Sequence, residues 1–385
     1  MKTINHNIIL GLLLVLLLSG CGLPRNPVPI VSISQAQVPG LPQIRYWEQD
    51  YKPDVNKGAD STSDCSFLAL SGGGANGAFG AGLLCGWTAS GKRPNFRIVT
   101  GVSTGALIAP MAFLGPQYDD TLKKYYTTIR TKDIFDVQGV FGIFPILFGE
   151  SYASTKPLEN LIAELLDEKA LEAVAREHAK GRRLYIGTTD LDAQRFMVWD
   201  MGALASSGNP NALKLFRKIM LASASIPAVF PPVYFTVEVN RKKYDEMHVD
   251  GGVIAGVFGY GKLFGDTDEI SQQKRPCSIY IIRNGKLENE PAQVPRKTMK
   301  IVGQSLLTLM KAASWNDFFR LYYNAQKDGV DFNYISLPAD YESHAKEMFD
   351  NAEMKRLFEL GFEMAKSGGK WQKTFISFSN VLGKR

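Results

Sequence analysis

The sequence is poor in the residues that build metal sites and disulfide frameworks. Its 385 residues include four histidines and four cysteines, and neither type shows the spacing of a zinc site. No basic run is interleaved with aromatics, and a net charge of +6 is too diffuse to indicate nucleic acid. We therefore expect no metal, no cofactor and no nucleic-acid partner.

The N-terminal apolar run is too short for a membrane-spanning helix, which needs about 20 apolar residues. Ile8–Leu18 follows Lys2 and leads into Leu-Ser-Gly-Cys at 18–21, a pattern typical of a secretory signal. Small residues directly before a cysteine resemble the bacterial lipobox, in which the cysteine is lipidated. We predict a lipoprotein signal peptide at 1–20 and lipidation of Cys21, with a plain signal peptide as the alternative.

A lipidated Cys21 would hold the chain at a bilayer, since each buried CH₂ contributes about 0.8 kcal/mol. Gly22 instead of Asp resembles sorting signals for the outer membrane, so we expect an envelope protein that faces the periplasm or the surface. Residues 21–63 carry six prolines and few periodic apolar positions, which predicts an extended tether. Within it, Ile44–Trp47 has the apolar character to pack on the domain.

The remaining cysteines form an odd set with no paired spacing. Cys85 lies in a small-residue helical stretch and is expected to be a buried apolar residue. Export would allow one disulfide among Cys65, Cys85 and Cys277.

From residue 64 onward, short apolar runs alternate with helical stretches. Ser66–Leu70 ends in a glycine-rich turn before a helical stretch to about Ser90, and 97–100 leads through Gly101 into another at 104–113. This repeated strand–turn–helix order predicts a parallel sheet flanked by helices. We also expect strands at 183–188, 195–199 and 277–283, a hairpin of 233–239 with 243–249, and helices at 155–180, 296–325 and 342–366. No linker divides the stretch, so we predict one domain at 64–385.

The segment Gly101-Val102-Ser103-Thr104-Gly105 fits the pattern G-x-S-x-G. A β-rich run precedes it and helix-forming residues follow, as a serine nucleophile on a sharp strand-to-helix turn requires. Glycines on both sides allow the close approach of strand and helix. We predict Ser103 as a nucleophile; the alternative is an ordinary serine in a tight turn.

The glycine-rich segment at 71–77 follows the preceding strand and opens a helix. Its backbone N–H groups are free to point at an anion, aided by the positive end of the helix. A nucleotide site is disfavoured, because the sequence has no G-x-x-x-x-G-K-[ST] and no acidic residue at the end of a second strand. We predict that Gly72, Gly73 and Gly74 form an oxyanion hole, with a merely structural loop as the alternative.

The third motif is Asp250-Gly251-Gly252, at the end of a strand. The order of glycine-rich loop, G-x-S-x-G and D-G-G resembles the patatin-like phospholipase family. The resemblance implies a three-layer α/β/α sandwich with a mostly parallel central sheet and a Ser103–Asp250 dyad in which Asp250 is the base. It covers about 66–252. Two positions depart from the family, which usually has Arg or Lys where Asn76 stands and often Asn and Pro after D-G-G.

Histidine offers a competing mechanism, since Ser103, Asp250 and His344 follow the chain order of α/β-hydrolases. His344 falls at a predicted helix start instead of a loop after a strand, and His178 falls in a last helical turn. His248 shares a strand face with Asp250 and remains a candidate helper. We favour the dyad.

The resemblance implies a lipid acyl hydrolase, a phospholipase A or esterase, with membrane lipids or other acyl esters as substrates. Residues 135–148 are rich in Phe, Val, Ile and Leu without helical period, and predict either an acyl-chain pocket or bilayer contact, or packing under the domain. Two other functions stay open: a non-catalytic lipid-binding lipoprotein, and an acyltransferase on the same dyad.

Overall fold

The computed structural model describes residues 25–41, 44–50, 65–134, 154–259 and 277–375. The predicted signal peptide, Cys21 and the apolar stretch 135–148 lie outside the described residues.

Among the described residues, a nine-stranded sheet forms the centre of the fold, and five consecutive strands, which extend to one edge, run parallel. The path is β1-β5-β4-β3-β2-β8-β9, and β7 adds to β4 and carries β6. The parallel pairs are β4–β3, β3–β2, β2–β8 and β8–β9. The strands are β1 Arg45–Trp47, β2 Ser66–Leu70, β3 Ile98–Gly101, β4 Arg183–Asp190, β5 Arg195–Asp200, β6 Val233–Val239, β7 Lys242–Asp250, β8 Ser278–Arg283 and β9 Asp331–Ser336.

Helices connect the strands, as parallel neighbours require. They are α1 Gly77–Ala89, α2 Thr104–Leu114, α3 Asp119–Thr128, α4 Thr131–Ile134, α5 Lys156–Leu165, α6 Glu168–Ala179, α7 Met201–Ala205, α8 Ala212–Ser223, α9 Thr298–Lys327 and α10 Asn351–Lys366. Short 3₁₀ turns occur at Ile30–Gln35, Gly74–Asn76, Pro116–Tyr118 and Gly251–Val253.

Alternate side chains of the strands point to opposite faces, and each face has its own apolar core. On β2, Leu68 and Leu70 join the core under α1, α2 and α8. Phe67 and Ala69 join a second core that includes Phe318 of α9. The predicted α/β fold, with helices on both faces of a mostly parallel sheet, is confirmed.

Two helix predictions were wrong at their boundaries. The helix expected at 155–180 is two helices, because the Asp167 side chain accepts a hydrogen bond from Ala170 N (2.8 Å) and starts α6 afresh. The helix expected from 342 begins at Asn351, because Asp350 caps the N–H groups of Ala352 and Glu353. Strand β9, which was not predicted, lies between α9 and α10 in the chain.

The tether prediction is wrong for residues 25–41 and 44–50. Strand β1 pairs antiparallel with β5, and Arg45 makes a bidentate ion pair with Glu246 of β7. Val38, Ile44 and Trp47 are buried in the large core, which confirms that 44–47 packs on the domain. Proline content indicated an extended chain but not that it adheres to the sheet edge.

Cys65 and Cys277 form a disulfide that joins the starts of β2 and β8. Because these strands are parallel neighbours with Ser66 opposite Ser278, the residues just before them lie side by side at the same edge of the sheet. Cys85 is free and buried in α1, as predicted. Among the described residues, no helix is long and apolar enough to span a membrane.

Candidate active site

Strand β4 brings the serine turn and the aspartate side by side. Its first half pairs with β3, where Ile186 lies opposite Gly101. Strand β3 ends there, and β7 takes its place, so that Thr188 lies opposite Asp250. Two motifs that are 147 positions apart in sequence (250 − 103) therefore meet within two residues of one strand.

Ser103 lies on a strained turn between β3 and α2. Its φ of 56° and ψ of −127° are rare for a residue with a side chain. The flanking glycines permit the turn: a Cβ on Gly101 would lie 2.4 Å from Gly105 O, and one on Gly105 would lie 2.3 Å from Leu70 O. A strained serine between a strand and a helix is the geometry of a nucleophile turn.

Ser223, at the end of α8, supports this turn. Its hydroxyl accepts a hydrogen bond from Ser103 N (3.0 Å) and donates one to Gly187 O of β4 (2.7 Å). Sequence reasoning assigned Ser223 no role.

Asp250 is fully buried at the end of β7. Gly252 N donates to its Oδ1 (2.7 Å), and its own N donates to Ser225 O (2.8 Å). Burial raises the pKa of the carboxyl to about 7, against the lowering effects of the Ser103 hydroxyl and Gly252 N–H. The second oxygen, Oδ2, has no hydrogen-bond partner of normal geometry in the described chain. The contact with Ser103 therefore falls short of a full hydrogen bond, as is common without substrate.

The glycine-rich loop lies against the serine. A Cβ on Gly72 would lie 3.2 Å from Ser103 Cβ. Gly72 N already donates to Gly256 O (3.0 Å), whereas neither Gly73 N nor Gly74 N has an acceptor among the described residues. The loop thus leaves two of its three predicted N–H groups available to an oxyanion.

Asn284, which sequence reasoning missed, holds this loop in place. Its Nδ2 donates to Ser71 O (2.7 Å) and its backbone N donates to Ser71 Oγ (2.8 Å). A Cβ on Gly73 would lie 1.9 Å from Asn284 O, so glycine is needed where the two backbones touch.

The histidines lie away from the serine. His248 contacts Thr188 Oγ1 (2.9 Å) and Glu246 Oε2 (3.4 Å), with Asp190 Oδ2 at 3.8 Å. His344 is exposed in an irregular segment. Among the described residues no imidazole links Ser103 to Asp250, so a histidine triad has no structural support.

Asp190, Glu246 and His248 have ligand-type atoms within 4.8 Å of one another and are buried. Arg45 already contributes a positive charge through its ion pair with Glu246, so we assign the cluster to folding. A cavity of about 930 Å³ lies between α5 and α8 and has Lys156, Leu213 and Tyr234 in its wall. It is separate from the dyad.

The chain is distantly similar to two solved bacterial proteins. Among solved structures, VipD from Legionella pneumophila is 13% identical over 90% of this chain and 70% of that chain, with a TM-score of 0.40. ExoU of Pseudomonas aeruginosa, in complex with SpcU, is 16% identical over 79% of this chain, with a TM-score of 0.31; the match covers 52% of that chain, about half its length. These scores are too low to support an argument about function.

No curated protein matches the chain. Residues 68–258, which contain all three motifs, match the model of the patatin-like phospholipase family. The chain therefore carries a patatin-like phospholipase domain and belongs to that family of serine hydrolases.

Proposed function

We propose that the protein is a lipid acyl hydrolase, a phospholipase A or esterase, that works through a Ser103–Asp250 dyad. One observation carries the proposal: a fully buried carboxylate with an unpartnered oxygen adjoins a strained serine. No cation pairs with Asp250 in the described chain, so its pKa of about 7 suits a general base near neutral pH.

In the first step, Ser103 Oγ bonds to the ester carbonyl carbon while its proton passes to Asp250 Oδ2. The carbonyl oxygen becomes an oxyanion that accepts hydrogen bonds from Gly73 N and Gly74 N. One such donor contributes about 3 kcal/mol to the transition state. When the intermediate collapses, Asp250 returns the proton to the leaving alkoxide. Water then releases the fatty acid from Ser103 by the same steps, again with Asp250 as base.

The experiment is to label the purified protein with a fluorophosphonate and to assay release of fatty acid from phospholipid and from short-chain esters. We expect labelling of Ser103 and turnover by the wild type, and neither in a folded Ser103→Ala variant. Ser90→Ala, a serine at the end of α1, is the matched control and should behave as wild type.

The assay also separates the alternatives. A protein that is inert and unlabelled would be a non-catalytic lipid-binding lipoprotein. A protein that labels, consumes phospholipid and passes the acyl group to an added alcohol more than to water would be an acyltransferase.

We further propose that lipidated Cys21 anchors the protein to the cell envelope, at the outer membrane. The Cys65–Cys277 disulfide supports export, because disulfides persist in oxidising compartments. Labelled palmitate should enter the wild type and not Cys21→Ser, and density-gradient fractionation should place the wild type in the outer membrane. Label in the Cys21→Ser variant, or wild type in the cytosol, would reject the anchor.

A further inference from the structure

Three nitrogen donors surround one point beside the glycine-rich loop. Gly285 follows β8, and a Cβ built on it would lie 3.8 Å from Arg283 Nε, 3.9 Å from Arg283 Nη2 and 3.9 Å from Asn76 Nδ2. Apart from Gly285 and its two neighbours in the chain, these three nitrogens are the nearest described atoms to that point. We call this space, bounded by Arg283, Gly285 and Asn76, the donor niche.

Arg283 makes no ion pair or side-chain hydrogen bond among the described residues. Its Nε is buried and makes no hydrogen bond among the described residues, although the residue as a whole is partly exposed. Burial lowers its pKa to about 10, and the nearby carboxylates of Glu290 and Asp317 oppose this. Both carboxylates pair elsewhere, with Lys311 (2.7 Å) and Arg320 (3.3 Å). A buried guanidinium without a partner costs stability unless a ligand completes it.

The donor niche and Ser103 lie at the two ends of one tight loop. Gly72 adjoins Ser103, and a hydrogen bond from Asn76 N to Gly73 O (3.1 Å) folds the loop back between them. The loop then continues into α1, whose N-terminus favours an anion. The niche and the reacting serine thus contact the same short loop, and Gly73 and Gly74 lie between the two contacts in the chain.

We propose that the donor niche binds the phosphate of a phospholipid substrate, with Arg283 as its specificity-determining residue. This inference rests on the proposed function. A glycerophospholipid carries its phosphate on the same glycerol as its esters, so an ester at Ser103 places the phosphate a short distance away. A planar guanidinium with adjacent Nε and Nη2 donors matches two phosphate oxygens.

The test compares two substrates that differ only in the phosphate: dioctanoylphosphatidic acid and dioctanoylglycerol, each in neutral detergent micelles with the full-length protein. For Arg283→Gln we expect kcat/KM on the phospholipid to fall about 10- to 100-fold, mainly through KM, since a charged hydrogen bond contributes about 1.5–3 kcal/mol. Hydrolysis of dioctanoylglycerol should change less than about threefold on the same principle.

Two further variants control for charge and position. Arg241→Gln removes an equal charge from the exposed hairpin turn and should leave the ratio of the two substrates unchanged. Asn76→Arg in the Arg283→Gln chain places a cation at the other wall of the niche and should restore much of the phospholipid preference. This rescue would not follow if Arg283 only supported the fold.

Equal losses on both substrates, or no loss on either, would overturn the inference. Inorganic phosphate that raises the melting temperature of the wild type but not of Arg283→Gln, with unchanged substrate preference, would assign the niche to a free anion and also overturn it. Failure of the proposed function is distinguishable, because the wild type would then hydrolyse neither substrate.

Discussion

Glu246 and Asp250 are two buried carboxylates on the same strand, and their pKa values are shifted in opposite directions. Burial acts to raise both pKa values. For Glu246, the hydrogen bond with His248 and the charge of Arg45 outweigh burial and hold the pKa at about 2. For Asp250, only a hydroxyl and a backbone N–H oppose burial, and the pKa rises to about 7.

The difference shows that burial alone does not identify a catalytic acid. A cation makes Glu246 a permanently ionised partner that holds the N-terminal segment on β7 through Arg45. Without a cation, Asp250 exchanges its proton near neutral pH. Glu246, four residues before Asp250 on the same strand, is therefore structural. The charge of the neighbouring group decides whether a buried carboxylate is structural or catalytic.

The largest effect should follow exchange of Asp250 for its isosteric amide. In Asp250→Asn we expect kcat to fall about 10⁴-fold, because the variant cannot accept the serine proton. Its thermal unfolding at neutral pH should not be earlier than that of the wild type. Asp120→Asn, an exposed aspartate on α3, is the control. Residual activity within tenfold of wild type would remove Asp250 from the mechanism.

Removal of the Arg45–Glu246 ion pair should lower the free energy of unfolding. Arg45→Met leaves Glu246 as a buried charge that has lost its guanidinium, and loss of one partner of a buried pair costs about 3–5 kcal/mol. Urea unfolding measures this loss. Fluorophosphonate labelling of Ser103 in the protein that remains folded should persist. A variant as stable as wild type would show that the ion pair does not hold the N-terminal segment.

The pH dependence of turnover sharpens the comparison further. Only ionised Asp250 accepts the proton, so kcat/KM should rise with pH and level off above a pKa of about 7. Between pH 8 and pH 6 we expect roughly a tenfold loss. Glu246 does not affect the profile of kcat/KM between pH 6 and pH 8, because its pKa of about 2 keeps it ionised. A profile that stays flat down to pH 5 would contradict the assignment of Asp250.

The smallest effect concerns the pH dependence of the free energy of unfolding. The contributions of the two carboxylates change with pH in opposite directions. Folded Asp250 retains its proton up to pH about 7, whereas the unfolded chain loses it near the usual value of about 3.9. Its contribution is therefore present at low pH and lost as pH rises through this window. Glu246 contributes stability above about pH 4.5 that is lost as pH falls toward 2.

Asp250→Asn removes only the first contribution. Its unfolding free energy relative to wild type should increase by about 1 kcal/mol per pH unit between pH 5 and 6. Parallel urea titrations of the two proteins measure the difference. A constant difference across that range would mean that Asp250 titrates alike in the folded and unfolded chains.

The parts of the molecule that sequence reasoning predicted are those governed by local rules. Strand β2 was placed with its observed bounds, and Ser103 was placed on its turn, because glycine patterns and apolar runs depend on neighbours in sequence. The predicted tether was wrong because apolar residues among prolines do not reveal that they have a partner strand.

The amino-acid sequence by itself determined the family, the parallel sheet and the identity of the three motif segments. Tertiary structure decided which groups surround them: Ser223 behind the serine, Asn284 under the loop, the Cys65–Cys277 pairing and the position of Arg283 beside Asn76. Each of these contacts joins residues far apart in the chain, and no local pattern encodes which distant side chain will arrive. The pKa of Asp250 belongs to this second group, because burial in the folded packing raises it and, in the described part of the chain, no cation lies close enough to oppose burial.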